Sequence, residues 1–441
     1  MEKEEKKTIP IQSLSGMHDI LPEEQFYYRR FEKIAEKLSN LYNFKRIDTP
    51  ILESADLFIK GTGAGTDIVQ KEMYSFRTKG GDWVALRPEG TPPVVRAYLE
   101  HGMMSWPQPV KLFYYGPYFR HESPQAGRYR EFRQFGAEVL GESCASVDSE
   151  IIALIFNIIK KNGIKNLIVE INSLGCKKCN SKFETALIKY LKKFYNNLCQ
   201  NCKRRANSNP LRVLDCKETA CRKIIENAPQ IIDYLCSECH NHFKEVLEFL
   251  DVLEIPYTLN PYLVRGLDYY SKTVFEILPV DKNIGEENSE KENEKTKKIS
   301  LAGGGRFDDL VRAYSKRNLP ACGAGIGVER VIEKLKELGV KPEEEKSQVF
   351  LVQIGDSAKK ISMKILEEVR EANIKIEASL NEANLRDQLG RVDKLKIPIA
   401  LILGQKEAAE GKILIRDMVS KQQDLVRISD LIPELKKIIK T

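Results

Sequence analysis

Apolar positions at helical spacing near the start of the chain predict one long amphipathic helix over residues 23–42, with Phe31 and Ile34 on its apolar face. Residues 44–50 then alternate between apolar and polar. This alternation predicts a strand that ends, or lies at a sheet edge, at Pro50, because proline cannot donate a hydrogen bond to an interior ladder. The chain therefore opens with a helix followed by a strand.

Short strands separated by glycine and proline continue up to residue 141. Residues 111–119 and 132–140 are predicted to be antiparallel neighbours around a polar loop. A helix over residues 148–161 and a strand over residues 167–172 complete this part of the pattern.

The next segment is predicted to be mostly helical, and strands return after it. The predicted elements that follow are strands over 263–264, 273–277, 299–305 and 322–327, and a helix over 329–338. Residues 279–298 are rich in Glu, Lys and Asn and are predicted to form a solvated hairpin excursion. Because the strands are separated too irregularly for repeated βαβ units, we predict an α+β fold with an antiparallel sheet.

The last quarter of the chain has a different pattern. Three apolar strands, at residues 349–354, 374–378 and 399–403, alternate with amphipathic helices at 360–372 and 385–395. This alternation predicts a separate α/β domain with a parallel component. The predicted organisation is a core in two parts, 1–175 and 246–340, with a helical insertion, 176–245, a linker, 341–347, and a C-terminal domain, 348–441.

The composition is that of a soluble globular protein, with 441 residues of which 42% are hydrophobic and 30% are charged. The first seven residues lack an apolar signal region, and the longest apolar stretch, residues 151–159, is about half the length of a membrane span. Ten cysteines without a signal region indicate a reducing compartment. We therefore expect a cytoplasmic protein with no membrane partner.

The formal net charge of +7 lies in one segment. Residues 176–243 contain 13 Lys and Arg against 6 Asp and Glu, whereas the rest of the chain carries 57 of each sign. A locally basic module suits contact with a phosphate backbone, because Lys and Arg displace counterions there. A solubilising surface is the alternative interpretation.

Two patterns in the predicted core indicate an anionic ligand. Residues 119–132 place three arginines and two glutamates around a Pro/Gly turn, and planar guanidinium groups suit phosphate and carboxylate. A solvated loop is an equal alternative for this cluster. Glycine runs at 303–308 and 323–330 imply a ligand or a backbone pressed against a strand. Neither run matches a P-loop or a dinucleotide fingerprint.

Several of these segments resemble the motifs of class II aminoacyl-tRNA synthetases. Residues 119–122 and 132–141 are similar to motif 2, and residues 325–330 are similar to motif 3. Residues 44–50, after the long helix, look like motif 1, the dimer-forming element.

Two further blocks resemble the signatures of histidyl-tRNA synthetases: Leu-Val-Arg-Gly-Leu-Asp-Tyr-Tyr at 263–270 and Ala-Gly-Gly-Gly-Arg-Phe-Asp at 302–308. The resemblance implies a class II catalytic sheet flanked by helices and a C-terminal anticodon-binding domain. It also implies ATP-dependent activation of L-histidine to histidyl-adenylate and transfer to the 3′ end of tRNA(His). The enzyme would be a homodimer that uses Mg²⁺ with ATP, and no DNA partner is implied.

The resemblance also implies roles for individual residues. The catalytic cations would be Arg120, Arg265 and Arg330. ATP would be bound by Arg120, Glu122, Arg128, Phe132 and Arg330. Histidine would be bound by Glu89, Thr91, Arg120, Gln134, Glu138, Arg265, Tyr269 and Tyr270. Ordinary core packing is the alternative for the two tyrosines.

One position departs from the family pattern. Ser123 stands where many bacterial members have an arginine that helps to read the acceptor end of the tRNA. Gln125 and Arg130 are the remaining candidates for that contact.

Eight of the ten cysteines lie in the basic segment, as Cys176/Cys179, Cys199/Cys202, Cys216/Cys221 and Cys236/Cys239. Three Cys-x-x-Cys pairs are typical of zinc sites, and two Cys₄ sites would use every sulfur. The resemblance argues against metal, because many family members carry other residues here and fold the insertion around an apolar helical core. The candidates for such a core are Leu174, Leu198, Leu214 and Leu235. We therefore assign no metal and favour thiols over structural zinc. If zinc were bound, its removal would loosen only the insertion and spare histidine activation in a distant core.

Two other functions stay open at this point. A catalytically silent paralogue that regulates ATP phosphoribosyltransferase shares the core fold, but such paralogues usually lack the C-terminal domain and lose the ATP-binding arginines. A plain RNA-binding scaffold would not need the amino-acid pocket. Histidine-dependent ATP–pyrophosphate exchange separates the synthetase from both.

Overall fold

The chain is described by a computed structural model over residues 11–124, 127–280, 299–315, 317–342, 346–379 and 384–440. Its contacts divide it into two compact units, Met1–Pro342 and Glu343–Thr441, and each is described by itself. Gln125 and the charged excursion at residues 281–298 lie outside the described residues.

The first unit combines helices with mostly short strands. Its helices are α1 (Pro22–Leu41), α2 (Ala55–Thr62), α3 (Thr91–Glu100), α4 (Ala145–Asn162), α5 (Lys177–Lys193), α6 (Gln200–Ser208), α7 (Thr219–Ile225), α8 (Ser237–Val252), α9 (Leu310–Ser315) and α10 (Val328–Glu337). Its strands are β1 (Lys45–Arg46), β2 (Leu52–Ser54), β3 (Ser75–Arg77), β4 (Trp83–Leu86), β5 (Val110–Phe119), β6 (Glu131–Leu140), β7 (Leu167–Ser173), β8 (Tyr257–Leu259), β9 (Ser271–Pro279), β10 (Ala302–Arg306) and β11 (Ala321–Gly327).

Eight of these strands form one sheet in the order β1-β5-β6-β11-β10-β9-β7-β8. Every pair is antiparallel except the two at the edges, β1 with β5 and β7 with β8. The prediction of an α+β fold with an antiparallel sheet is confirmed. Strands β2, β4 and β3 form a separate three-stranded sheet.

The main core lies on one face of the eight-stranded sheet. Ile151, Ile155 and Ile158 occupy successive turns of α4 and are fully buried. Phe31 of α1 and Val246 of α8 belong to the same apolar cluster. Burying a side chain of this size stabilises the fold by about 1.5–3 kcal/mol, so this face holds the sheet in place. The opposite face is left for the candidate site.

One predicted strand is shorter than expected, and another is absent. The strand expected over residues 44–50 covers only Lys45–Arg46. The N–H of Ile47 still donates to the carbonyl of Phe113 at 2.9 Å, and further along the carbonyl of Thr49 accepts a hydrogen bond of 2.7 Å from Arg87 Nη1. The strand expected at 263–264 does not form. There, the carbonyl of Leu263 accepts a hydrogen bond of 3.0 Å from the side chain of Asn172.

The helical insertion has an apolar core of its own. Phe183 and Leu187 of α5 are fully buried in it. Three of the four leucines proposed for this core, Leu174, Leu198 and Leu214, are buried in the same cluster, whereas Leu235 is only partly buried.

The second unit is an α/β domain. Its elements are β12 (Val349–Gln353), α11 (Asp356–Glu371), β13 (Ile376–Ala378), α12 (Leu385–Leu395), β14 (Ile399–Leu403), α13 (Gln405–Glu410), β15 (Lys412–Asp417), β16 (Gln423–Arg427) and α14 (Leu431–Lys440). Strands β13, β12 and β14 are parallel neighbours, as predicted. An antiparallel pair, β15 and β16, extends the sheet and was not predicted. No helix in the described parts of the chain is both long and apolar enough to span a bilayer.

Candidate active site

A transverse row of the eight-stranded sheet has no side chains at its centre. Gly136 of β6 pairs with Gly325 of β11, which pairs with Gly303 of β10. Tyr114 of β5 and Glu276 of β9 flank this row. Successive strand residues face opposite sides of a sheet, so the row faces away from the main core. It forms the floor of a cavity.

Two of these glycines leave room for side chains that lie across the sheet. A Cβ atom on Gly303 would come 2.5 Å from Nη1 of Arg265, and one on Gly325 would come 2.1 Å from Nε2 of Gln134. Both distances are far below van der Waals contact. Arg265 and Gln134 therefore reach the cavity floor because the strands beneath them carry no side chain.

One wall of the cavity is built around the buried carboxyl group of Glu89. Thr62 Oγ1 donates to Glu89 Oε1 at 2.6 Å, and the Tyr269 hydroxyl donates to Oε2 at 2.6 Å. Burial raises the pKa of Glu89, while the two hydrogen bonds and the charges of Arg120 and Arg265 act in the opposite direction. The carboxyl group is thereby fixed in one orientation.

Glu138 lies deeper and is fully buried on β6. Its Oε1 accepts hydrogen bonds from Thr91 Oγ1 at 2.7 Å and from the Tyr114 hydroxyl at 3.0 Å. Its Oε2 has no hydrogen-bond partner among the described residues and lies over Gly323, where a Cβ atom would be 1.6 Å away. Burial raises the pKa of Glu138 to about 8 despite the two hydrogen bonds. At neutral pH the carboxyl group is therefore mostly protonated.

Arg265 is held between a carboxylate and an aromatic ring. It forms an ion pair with Glu276, and its guanidinium carbon lies 5.8 Å from the centre of the Tyr270 ring. Tyr270 in turn lies 4.7 Å from the ring of Tyr269. The side chain of Arg265 keeps 20% of its surface exposed, so the guanidinium group is fixed yet open to the cavity.

A second group of cations surrounds Glu122. Arg120 Nη1 lies 3.8 Å from one of its carboxylate oxygens, and Arg128 Nη1 lies 3.4 Å from the other. Arg120 also donates from Nε to the carbonyl of Pro88 at 2.8 Å, and its guanidinium carbon is 5.3 Å from the Phe132 ring centre. One carboxylate thus compensates two guanidinium groups.

Arg330 adds a further cation from the first turn of α10. It donates hydrogen bonds to the carbonyls of Gly127 at 3.0 Å and Ser300 at 2.8 Å. Burial lowers the pKa of Arg330, and repulsion from Arg128 and Arg120 lowers it further. Mutually repelling cations held in a partly buried site favour a polyanionic ligand, because such a ligand relieves the repulsion.

Eleven of the twelve predicted site residues line one cavity of about 170 Å³: Glu89, Thr91, Arg120, Glu122, Arg128, Phe132, Gln134, Arg265, Tyr269, Tyr270 and Arg330. The twelfth, Glu138, lies behind Thr91, to which it is hydrogen-bonded. The structure brings the predicted residues together, and their individual roles stay predictions.

Sequence reasoning missed the residues that hold this set in place. Thr62, Tyr114 and Glu276 each fix one predicted site residue through a hydrogen bond or an ion pair. They are recognised only from strand register and helix ends, which a single sequence does not specify. One pointer existed: Glu276 is a charged residue inside the apolar run 273–277.

Comparisons with known proteins agree with this geometry. A family model described as histidyl-tRNA synthetase matches residues 16–331, and a model described as anticodon binding domain matches residues 348–438. The chain is 41% identical over 432 residues to the histidine–tRNA ligase of Clostridium perfringens, across 98% of this chain and 100% of that protein. The chain belongs to the histidyl-tRNA synthetase family.

Other members of the histidyl-tRNA synthetase family are similarly close. The histidine–tRNA ligase of Halothermothrix orenii is 40% identical over 425 residues, which are 96% of this chain and 98% of that protein. A crystal structure of apo S. aureus histidyl-tRNA synthetase matches with a TM-score of 0.80 and 33% identity, over 96% of this chain and 99% of that one. The first unit thus has the catalytic fold of the family, and the second unit is an anticodon-binding domain.

Proposed function

We propose that this protein activates L-histidine with ATP to histidyl-adenylate and transfers the histidyl group to the 3′ end of tRNA(His). The observation that carries the proposal is one cavity in which clustered arginines lie beside the wall formed by Glu89 and Tyr269. The arginines suit the phosphates of ATP, and the wall of carboxyl and hydroxyl groups suits a small amino acid. The cavity therefore presents groups suited to ATP and to an amino acid side by side, which supports the proposal.

Adenylate formation joins a carboxylate oxygen of histidine to the α-phosphorus of ATP and releases pyrophosphate. Two anions must approach each other, so fixed positive charges supply much of the catalysis. Arg265 and Arg120 would hold the α-phosphate and the carboxylate as charge develops on phosphorus. Arg330 would hold the γ-phosphate with help from Arg128, while Phe132 stacks on adenine.

Recognition of histidine would use the buried wall. The carboxyl group of Glu89, with Thr91 and Gln134, would bind the α-ammonium group. Glu138 and Tyr270 would contact the two ring nitrogens. A site built to satisfy both nitrogens rejects isosteres that leave buried polar atoms unpaired.

Glu122 would accept a hydrogen bond from the adenine amino group. Glu276 lines the cavity and presents carboxylate oxygens, the donor type that Mg²⁺ takes. It would hold Mg²⁺ with ATP, and the ion would neutralise part of the phosphate charge. We also propose that the enzyme is a cytoplasmic homodimer, as the family resemblance of residues 44–50 implies.

The regulatory paralogue of ATP phosphoribosyltransferase is the weaker alternative. Such a paralogue does not need the ATP-binding arginines, yet Arg120, Arg265 and Arg330 all line the cavity. The anticodon-binding domain is also present.

Amino-acid-dependent ATP–pyrophosphate exchange tests the proposal. We expect exchange with L-histidine and not with the other standard amino acids, followed by charging of tRNA(His) transcripts. A folded protein that shows no histidine-dependent exchange would contradict the proposal. An Arg330→Ala variant should lose exchange, whereas Arg312→Ala, an exposed arginine on α9, is the matched control.

A further inference from the structure

The eight cysteines of the insertion lie in two groups of four. One group is Cys176, Cys179, Cys236 and Cys239, and the other is Cys199, Cys202, Cys216 and Cys221. Within each group all four sulfur atoms lie within 4.8 Å of one another. We infer that the insertion binds two zinc ions, one in each group of four thiolates.

The spacing of the sulfurs fits one metal ion per group. A tetrahedral zinc site with Zn–S bonds of about 2.3 Å places neighbouring sulfurs about 3.8 Å apart. Here, Cys176 Sγ and Cys179 Sγ are 3.6 Å apart, and Cys199 Sγ and Cys216 Sγ are 3.9 Å apart. Both distances far exceed a disulfide bond of about 2.05 Å. An iron–sulfur cluster, with several irons between its thiolates, would need a wider arrangement.

The three Cys-x-x-Cys pairs share one local structure. In each pair the first cysteine is the residue before a helix, namely Cys176 for α5, Cys199 for α6 and Cys236 for α8. The second cysteine lies in the first turn of the same helix. Both sulfurs of a pair thus lie at a helix N-terminus, where the helix dipole and free N–H groups stabilise thiolates.

Backbone N–H groups already point at several of these sulfurs. The N–H of Cys236 donates to Cys179 Sγ at 3.1 Å, and the N–H of Cys199 donates to Cys221 Sγ at 3.3 Å. Such outer hydrogen bonds orient ligands around a metal ion. The chain around each group is therefore arranged before the ion binds.

The metal sites also give a reason for the basic charge of the segment. Each zinc tetrathiolate carries two negative charges, so two sites reduce the local surplus from seven positive charges to about three. Part of the excess positive charge of lysine and arginine then balances the negative charge of the metal sites. A smaller net positive charge remains for contact with nucleic acid.

The first group closes the base of the insertion. Cys176 follows β7 and Cys236 precedes α8, so one ion joins the point where the chain leaves the sheet to the point where it returns. The metal adds a cross-link to a stem that is otherwise held by packing and by a few hydrogen bonds, such as that from the N–H of Lys272 to the carbonyl of Gly175 at 2.8 Å.

The second group of cysteines supports a set of polar contacts between the insertion and the surroundings of the candidate active site. These contacts are made by Arg205, Arg212 and Asn209, and we refer to them as the clamp. Cys199 and Cys202 begin α6, and this helix carries Arg205, whose Nη2 lies 2.9 Å from Asp67 Oδ2. Arg212, between Cys202 and Cys216, lies 3.0 Å from the same oxygen and donates to the carbonyl of Gly266 at 2.7 Å.

Asn209 adds a third contact, to Asp268 Oδ1 at 2.8 Å. Asp268 precedes Tyr269, which is hydrogen-bonded to Glu89. The insertion therefore contacts residues directly beside Tyr269 at the candidate site, and the expectation that the core is distant from it is wrong. Because Asp268 also bonds through its N–H to the carbonyl of Thr62, at 3.2 Å, the clamp supports both partners of Glu89.

Metal content tests the two sites without reference to activity. Wild-type protein purified without a histidine tag should contain about two zinc ions per chain by elemental analysis. Cys176→Ser and Cys199→Ser should each retain about one, and Cys144→Ser, an exposed cysteine outside both groups, should retain two. Less than about 0.2 zinc per chain in the wild type, or stoichiometric iron in its place, would overturn the inference.

A second measurement uses only the wild-type protein, so it remains valid if the cysteine variants do not fold. A mercurial reagent that displaces thiolate-bound metal should release about two zinc ions per wild-type chain to a chromogenic chelator. Release of none would overturn the inference as well.

The clamp, which rests on the proposed function, has its own test. Cys199→Ser should raise the KM for histidine in pyrophosphate exchange by about fivefold or more, through loss of pocket preorganisation. Arg212→Gln should raise it similarly while keeping both zinc ions. An unchanged KM in both variants would overturn the clamp and leave the zinc sites standing. Absence of exchange in the wild type would instead contradict the proposed function.

Discussion

At the scale of single residues, Arg265 is the cation whose position is most fully determined. Glu276 pairs with it, Tyr270 packs beside it, and Gly303 lies beneath it. A cation fixed before the substrate arrives costs little reorganisation when charge develops on phosphorus.

Arg265→Ala should slow adenylate formation by about a hundredfold or more, since one such charge contributes several kcal/mol to the transition state. Arg265→Lys should be intermediate, because it keeps the charge and loses the planar fork. Single-turnover formation of histidyl-adenylate measures the effect, with Arg312→Ala as control and thermal unfolding as a check on the fold. A rate close to wild type in Arg265→Ala would refute the role.

The buried Glu138 carboxyl group makes stability depend on pH. Burial raises its pKa from about 4.5 to about 8, so between these values the folded state binds one proton more than the unfolded state. The free energy of unfolding then falls as pH rises through this window. Glu138→Gln cannot titrate, and its Tm should therefore gain on wild type from about pH 5 to pH 8. Parallel Tm curves would show that the group does not titrate in this window.

The same variant tests recognition of histidine. Glu138→Gln should raise the KM for histidine far more than the KM for ATP, because the carboxyl group, which is hydrogen-bonded to Thr91, is proposed to contact only the imidazole ring. The KM for ATP is the internal control. Equal increases would mean that the residue shapes the whole cavity.

At the scale of elements, the glycines of β10 divide into two classes. The atoms nearest to a Cβ atom on Gly303 would be those at the far end of the Arg265 side chain, whereas a Cβ atom on Gly304 would lie 2.3 Å from the backbone oxygen of Gly323. A side chain can move aside, and a paired strand cannot.

Gly303→Ala should therefore keep the stability of the fold and lose most adenylate formation, because Arg265 is displaced from the cavity floor. Gly304→Ala should unfold or lower the Tm by several degrees, since overpacking against a strand costs about 1–3 kcal/mol. Thermal unfolding together with pyrophosphate exchange separates the two outcomes. The prediction would be wrong if Gly303→Ala lowered the Tm and Gly304→Ala lost only activity.

Elements with a clear apolar pattern along the chain could be predicted from the sequence, and the shortest strands could not. Helices α1 and α4 follow apolar patterns that repeat over several turns, and the parallel strands β12 and β14 are nearly continuous apolar runs. Strand β1 has two residues, and the backbone that follows it at Thr49 is hydrogen-bonded by Arg87 from elsewhere in the chain. Local pattern contains no information on such distant partners.

The candidate site divides in the same way. The family resemblance supplied the twelve residues, and eleven of them share one cavity. The partners Thr62 and Tyr114 depend on the register between distant segments, which no spacing along the chain encodes. The eight cysteines show the reverse case, because spacing alone favoured metal, the resemblance argued against it, and the folded insertion groups the sulfurs by four.

At the scale of the whole molecule, the two units have separate apolar cores. The clusters that contain Val349 and Phe350 include only residues of the second unit. Among the described residues, those that line the candidate active site all belong to the first unit. Activation and anticodon recognition are therefore assigned to different bodies.

A fragment that ends at Pro342 should retain histidine-dependent pyrophosphate exchange within about threefold, because its core and cavity are complete. Charging of tRNA(His) should fall by tenfold or more, about 1.4 kcal/mol of lost tRNA binding energy. Parallel exchange and charging assays on fragment and full chain measure this. Equal losses in both assays would show that the units depend on each other for folding.

The path of the chain through the sheet has a consequence for synthesis on the ribosome. Strand β7 lies between β9 and β8, and Ser173 pairs with Thr273, so both neighbours of β7 are encoded after the insertion. At a translation rate of about 5–20 residues per second, β7 is completed roughly 5–20 s before β9 emerges, and the insertion is made in between. During that interval β7 has two open edges, the type of surface on which nascent chains aggregate. If the insertion compacts early around its own leucines and its metal ions, its two ends come close together. Strand β9 would then emerge nearer to β7, with which it pairs.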